Sequence, residues 1–155
     1  MLVLTRRTDT VDTHRSQIAF PGGRHEDGEQ FLDTALRETE EEIGVPREAV
    51  QVLGELPPFR IPPSGFIVHP FVGTVDARPA YEIDPREVAE VLEVPLPILL
   101  DPDIRAEEET EILGRPATVP FFDVPDLGRP PLWGATAMML SGFLGRLRAA
   151  GNGRE

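Results

Sequence analysis

The sequence predicts one α/β (α+β) domain. Three observations lead there. The chain has 155 residues, a length that one hydrophobic core serves. Its hydrophobic content of 40% can build that core despite a net charge of −12. Its apolar patterning alternates between about seven short strand-like runs and two substantial helical ones, with no internal repeat. The expected domain spans residues 1–150, and residues 151–155 form a frayed tail.

Each element follows from local chemistry. Residues 2–5 are apolar and partly β-branched, which favours a strand. Residues 7–16 are polar and read as a loop. Residues 17–20 form a short strand that Pro21-Gly22-Gly23 stops, because proline cannot donate to a ladder. Residues 31–43 carry the strongest helical pattern, and Gly44 and Pro46 end it in the expected order. Residues 50–56 and 66–75 read as strands. Between them, residues 57–65 hold too many prolines for a regular element and read as an ordered loop or lid. Residues 88–94 are a further strand, followed by a helical turn at 96–100. Residues 104–113 and 117–124 form a hairpin about Gly114-Arg115-Pro116. The last helix covers residues 132–148, with Leu132, Trp133, Ala135, Met139, Leu140, Phe143 and Leu147 as its core face.

Composition excludes several functions. Without cysteine there is no disulfide, thiolate zinc site, iron–sulfur cluster or cysteine nucleophile. All 15 basic side chains are arginine, so there is no Schiff-base or P-loop lysine. A pI near 4.7 opposes nucleic acid as a partner. No apolar run approaches the ~18 residues of a membrane helix. The N-terminus lacks the basic region and cleavage site of a secretory signal. The expectation is a soluble, cytoplasmic protein.

One stretch carries the chemistry: Gly23-Arg24-His25-Glu26-Asp27-Gly28-Glu29, then Arg37-Glu38-Thr39-Glu40-Glu41-Glu42-Ile43-Gly44-Val45. On a helical wheel Leu32, Ala35, Leu36, Thr39 and Ile43 share the core stripe. Glu38, Glu41 and Glu42 share an adjacent face, and Glu40 points elsewhere. Like charges at i, i+3 and i+4 cost roughly 0.2–0.5 kcal/mol per pair. They also lie toward the helix C-terminus, where the dipole disfavours anions. A hard divalent cation held by oxygen ligands would reverse these signs. Arg37 and Glu29 are spaced to hold the cluster. The acidic run Glu107-Glu108-Glu109 lacks such flanks and reads as a solvated face.

The spacing G-x5-E-x7-R-E-U-x-E-E-x-G-U, with U apolar, resembles the Nudix box. All its charged and glycine positions are filled from Gly23 to Gly44. Thr39 stands at the first apolar position, where its methyl can pack while its hydroxyl bonds back to the helix. The resemblance implies an α/β/α sandwich with a mixed central sheet. It also implies Mg2+ or Mn2+ and attack of water on a nucleoside diphosphate linked to another moiety. It places Glu38, Glu41 and Glu42 at the metal, with Gly23, and the Gly22-Gly23 backbone beside metal and phosphate. It gives catalytic or orienting roles to Glu41, Arg37 and Glu29. The general base stays open: Glu87, Glu90 and Glu107 to Glu109 are alternatives from later segments.

The flanks resemble the coenzyme A diphosphatase branch. Val3-Leu4-Thr5-Arg6-Arg7, Gln17-Ile18-Ala19-Phe20-Pro21-Gly22-Gly23, Pro63-Ser64-Gly65-Phe66-Ile67-Val68-His69-Pro70 and Leu132-Trp133-Gly134-Ala135-Thr136-Ala137 carry that likeness. Ser16 stands where that signature has glycine, and the chain begins almost at the first motif. The implied partner is a small nucleotide of coenzyme A type, cut to 3′,5′-ADP and 4′-phosphopantetheine; a homodimer stays open. Arg7, Arg15, Arg24 and Arg60 flank the site and suit phosphate through a planar donor fork. Phe59 and Phe66 are expected to line a pocket, whereas Trp133 and Phe143 are expected in the core. His14, His25 and His69 are too scattered for a transition-metal site. Alternatives are hydrolysis of ADP-ribose or another nucleotide diphosphate, and a non-catalytic nucleotide-binding module.

Overall fold

The computed structural model describes residues 1–8, 17–62, 64–125, 127 and 131–152. It places nine strands and three α-helices among them, an α+β composition. The chain forms two compact units, Met1–Glu55 with Phe71–Glu93, and Leu56–Pro70 with Val94–Glu155.

In the first unit, β1 (Leu2–Arg7) lies between β2 (Ile18–Ala19) and β7 (Val88–Val94). The β2 partner is antiparallel, with Thr5 opposite Ala19. The expected loop therefore starts later than Arg7, which is still in the strand; residues 9–16, with His14, Arg15 and Ser16, lie outside the described residues. Helix α1 runs Phe31–Ile43, as its pattern predicts. Gly44 ends it in the left-handed conformation (φ 70°), donating its N–H to Glu40 O at 2.9 Å; only glycine adopts that turn without strain. β3 (Gln51–Glu55) and β6 (Phe71–Thr74) pair antiparallel with a bulge between Val52 and Gly54. Ile43, Val45 and Val88 form a core cluster, with Val3, Val50, Val75, Tyr81 and Val91 packed against it.

In the second unit, β4 (Phe59–Arg60) pairs with β5 (Ile67–Val68). This corrects the expectation of no regular element in residues 57–65. The prolines flank Phe59 and Arg60, so both keep a backbone donor. The expected single strand over residues 66–75 is broken at His69-Pro70, since proline interrupts a ladder. α2 (Leu96–Leu100) follows β7. β8 (Arg105–Ile112) and β9 (Arg115–Phe122) form the expected hairpin, with a tighter turn than expected. Leu113 (φ 51°) and Gly114 (φ 75°) are the two central residues, the positive-φ pattern of a type I′ turn. Arg115 and Pro116 already belong to the strand.

α3 spans Gly134–Asn152, so it starts two residues later and ends later than expected. Its buried positions are Thr136, Ala137, Leu140 and Leu144. Trp133, expected in the core, is 47% exposed just before the helix begins. Leu132 is buried instead, where it exchanges two backbone hydrogen bonds with Phe122. Among the described residues, no helix is long and apolar enough to cross a membrane.

Candidate active site

The site is built on the last two turns of α1. Glu38, Glu41 and Glu42 line one cleft with Asp84, Arg86 and Glu87. The second set comes from the loop before β7. Two backbone bonds seat that loop on the C-terminus of α1: Glu82 N–H to Ile43 O (3.1 Å) and Asp84 N–H to Glu42 O (3.0 Å). They satisfy carbonyls that a helix end leaves without partners. Thr8, just after β1, holds the other side of the loop. Its N–H donates to Glu87 O and its hydroxyl to Arg86 O, both at 3.0 Å.

Arg37 organises the acidic face. Its Nε donates to Glu29 Oε1 at 2.7 Å and its Nη2 to Glu29 Oε2 at 3.2 Å. Its Nη1 reaches Glu38 Oε1 (3.0 Å) and Glu41 Oε2 (3.1 Å) together. Nη2 also donates to the carbonyl of Arg24 at 3.2 Å, which ties the glycine loop to the helix. One guanidinium thus offsets the repulsion among three carboxylates. It holds the Glu29 carboxyl at about 2; the Thr34 hydroxyl is the next contributor.

Glu42 differs from the others. It is only 5% exposed, and its Oε2 accepts from Gly22 N–H at 3.0 Å. Burial pushes its carboxyl up to about 7. The Gly22 N–H and the charge of Arg7 pull it down, while Glu87 and Glu38 push it further up. Gly23 leaves room for the Glu38 carboxylate, which a Cβ there would push aside. The glycine pair therefore lets the loop backbone close over two of the three box glutamates.

Residues 1–112 match the NUDIX domain, more than half of the chain. The chain belongs to the Nudix family. Proteins named "Uncharacterized Nudix hydrolase NudL" from Photorhabdus laumondii, Pectobacterium atrosepticum and Yersinia pestis are 44%, 46% and 45% identical over 96 residues. Those segments cover 61% of this chain and 51%, 50% and 48% of the three relatives, so the chain spans about half their length. The crystal structure of a MutT/nudix family protein from Enterococcus faecalis aligns with a TM-score of 0.58 at 19% identity. It covers 94% of this chain and 54% of that one, and shows that the α+β fold is of Nudix type.

The Nudix box residues come together as the spacing implies: Glu29, Arg37, Glu38, Glu41, Glu42, Gly22 and Gly23 form one hydrogen-bonded or close-packed group. Thr39 bonds back to Ala35 O at 2.7 Å, as its position suggests. Of the arginines, Arg7 lies near enough to act on Glu42 and Arg24 binds through its carbonyl. Arg60 and Phe66 belong to the second unit, on β4 and just before β5, and Phe66 is more than half exposed. Of the alternative bases, Glu87 lines the cleft. Glu90 instead pairs with Arg6 at 3.2 Å. Glu107 pairs with Arg105 at 2.6 Å on exposed β8.

The three carboxylates offer only hard oxygen donors, the chemistry a divalent cation of the Mg2+ type prefers. Among the described residues, no three acidic or histidine side chains are already arranged to hold an ion. The reason is local: Arg37 draws Glu38 and Glu41 to one nitrogen, and Gly22 draws Glu42 to another. The donor set of Glu38, Glu41 and Glu42 fits such a cation.

Sequence reasoning missed Asp84, Arg86 and Thr34. Asp84 accepts from Arg86 N (2.9 Å) and from the Arg86 guanidinium (2.6 Å at the shortest), and Arg86 holds it at about 2. The signal available was Asp84-Pro85-Arg86, an aspartate that can turn the chain back on its own backbone. Thr34 had no sequence signal beyond its helical position.

Proposed function

We propose that this chain is a soluble, cytoplasmic, single-domain hydrolase that cleaves a nucleoside diphosphate linked to another moiety. The favoured substrate is coenzyme A or a derivative, cut to 3′,5′-ADP and 4′-phosphopantetheine. The observation that carries the reaction class is the cleft in which Glu38, Glu41 and Glu42 meet under the Gly22-Gly23 loop. The substrate reading rests on the flanking motifs around Arg7, Gln17 to Gly23, Phe66 and Trp133.

Glu38, Glu41 and Glu42, with the backbone near Gly23, would hold Mg2+ or Mn2+. That cation supplies charge neutralisation at the phosphoryl oxygens. The protein's own residues do the rest. Glu29 fixes the plane of the Arg37 guanidinium, and Arg37 sets the directions of Glu38 and Glu41. Glu41 is more than half exposed, so its carboxylate can take the proton of a water in the cleft. Glu87 shares the cleft and is the second reading for that proton acceptor. Arg7 and Arg24 supply positive charge beside the reacting phosphates.

The test is product identity. Coenzyme A incubated with Mg2+ or Mn2+ should release 3′,5′-ADP. Cleavage of ADP-ribose or dinucleoside polyphosphates instead would overturn the substrate and keep the reaction. Metal-dependent nucleotide binding without hydrolysis would favour a binding module. Loss of turnover in Glu41→Gln, with retention in Glu87→Gln, supports Glu41 as base; the reverse moves the role to Glu87.

A further inference from the structure

We infer that Thr34 is a positioning residue of this site, aiming the Glu29 carboxylate and, through it, Arg37; the inference rests on the hydrolase reading above. Two threonines of α1 make the contrast. Thr39 gives its hydroxyl proton to its own helix, at 2.7 Å from Ala35 O. Thr34 lies 3.4 Å from the equivalent carbonyl, Gln30 O, and only 2.6 Å from Glu29 Oε2. Its proton therefore leaves the helix. Thr34 is also 5% exposed, so water does not replace that bond.

A carboxylate only accepts, so Thr34 must be the donor to Glu29. The His25 Nδ1, 3.2 Å from the same hydroxyl oxygen, must then be a donor to Thr34. His25 is steadied by Phe31, whose ring centre lies 4.7 Å from its own. A directed chain results: His25 donates to Thr34, Thr34 to Glu29, and Arg37 donates to Glu29, Glu38 and Glu41. Glu29 Oε2 has two other donors, Arg37 Nη2 at 3.2 Å and Glu26 N–H at 3.4 Å. Both are longer than the Thr34 bond. Without the hydroxyl, only these two longer bonds restrain Oε2, so the carboxylate can turn about its Oε1 contact and shift the guanidinium with it. The two box glutamates that share Nη1 then lose their common direction. Such a displacement acts on the rate more than on substrate binding.

The experiment compares Thr34→Val, which keeps shape and removes the hydroxyl, with Thr34→Ser, which keeps the hydroxyl. Thr34→Val should lower kcat about tenfold with KM within about twofold. Thr34→Ser should return kcat to within about threefold of the parent. In a Glu29→Gln background, Thr34→Val should add less than about twofold, because it acts through Glu29. Unchanged kcat in Thr34→Val, failure of serine to rescue, or full additivity with Glu29→Gln would each overturn the inference. The NMR signal of the Arg37 Nε–H gives a readout independent of turnover. It should move in Thr34→Val, or in Thr34→Ala if valine does not fold, and stay in Thr34→Ser. An unmoved signal counts against Thr34. A parent protein that hydrolyses no diphosphate under any metal condition counts against the hydrolase reading instead, and the Arg37 signal then decides Thr34 alone.

Discussion

Two acidic runs, residues 38–42 of α1 and 107–109 of β8, have similar composition and opposite surroundings. On β8 every glutamate is exposed, and Glu107 pairs with Arg105 two positions away. On α1, Glu42 is buried against Gly22, and Glu38 and Glu41 share one nitrogen of Arg37. The difference is restraint. Solvated carboxylates point where water takes them, whereas these line one cleft and are held by Arg37 of the same helix and by Gly22 of the preceding loop. Acidity alone is thus a poor sign of a site; acidity with fixed directions is a good one.

The sharpest break of that comparison is charge removal in each run. Glu42→Gln keeps an oxygen for Gly22 N–H and should fold, but its kcat should fall by about 100-fold or more. Glu108→Gln on β8 should leave kcat within about twofold of the parent. Steady-state kinetics at saturating metal checks both. Equal effects would erase the distinction between the runs.

The pH dependence of stability should divide the runs next. Burial raises the Glu42 carboxyl to about 7 from an ordinary 4.5. The folded state therefore binds more protons than the unfolded state between those values. Stability must fall as pH rises from 4.5 to 7, then level off, with a change of order 2 kcal/mol from this group. Glu29 and Asp84, held at about 2, act oppositely: the stability they confer is present above their ordinary range and lost as pH falls toward 2. Urea unfolding with a chelator present, at pH 4.5 and 7.5, should show the loss in the parent and in Glu108→Gln but not in Glu42→Gln. A slope that survives in Glu42→Gln places its origin elsewhere.

What the sequence made legible follows the same division. Helix α1, its Gly44 cap and the strands at residues 2–7, 51–55 and 88–94 rest on local patterning, and local patterning was enough. The box residues also declare themselves, because the spacing of Glu29, Arg37 and the three glutamates encodes one helix face and its flank. The chain was less readable where partners are distant. Phe59 and Arg60 become a strand only because Ile67 and Val68 pair with them across residues 61–66. Trp133 is exposed because Leu132 takes the Phe122 pairing one residue earlier. Asp84 and Arg86 reach the cleft because Glu82 and Asp84 bond to the end of α1, forty residues earlier in rough count. No periodicity records such a bond.

The smallest expected effect separates space from backbone conformation, using one glycine beside each run. Gly23 has no left-handed φ, so alanine is acceptable to the backbone, but its Cβ would displace the Glu38 carboxylate. That carboxylate is the far end of a flexible side chain, so it can swing away at little cost in folding. Gly23→Ala should therefore lower kcat about tenfold while stability stays within about 0.5 kcal/mol. Gly114, in the turn after β8, has φ 75° and open space around it. Gly114→Ala should cost about 1 kcal/mol of stability through strain at that φ and leave kcat unchanged. Kinetics and urea unfolding on both variants give a crossed pattern if the α1 glutamates work by fixed direction. A Gly23→Ala protein that keeps full turnover would show that Glu38 needs no such restraint.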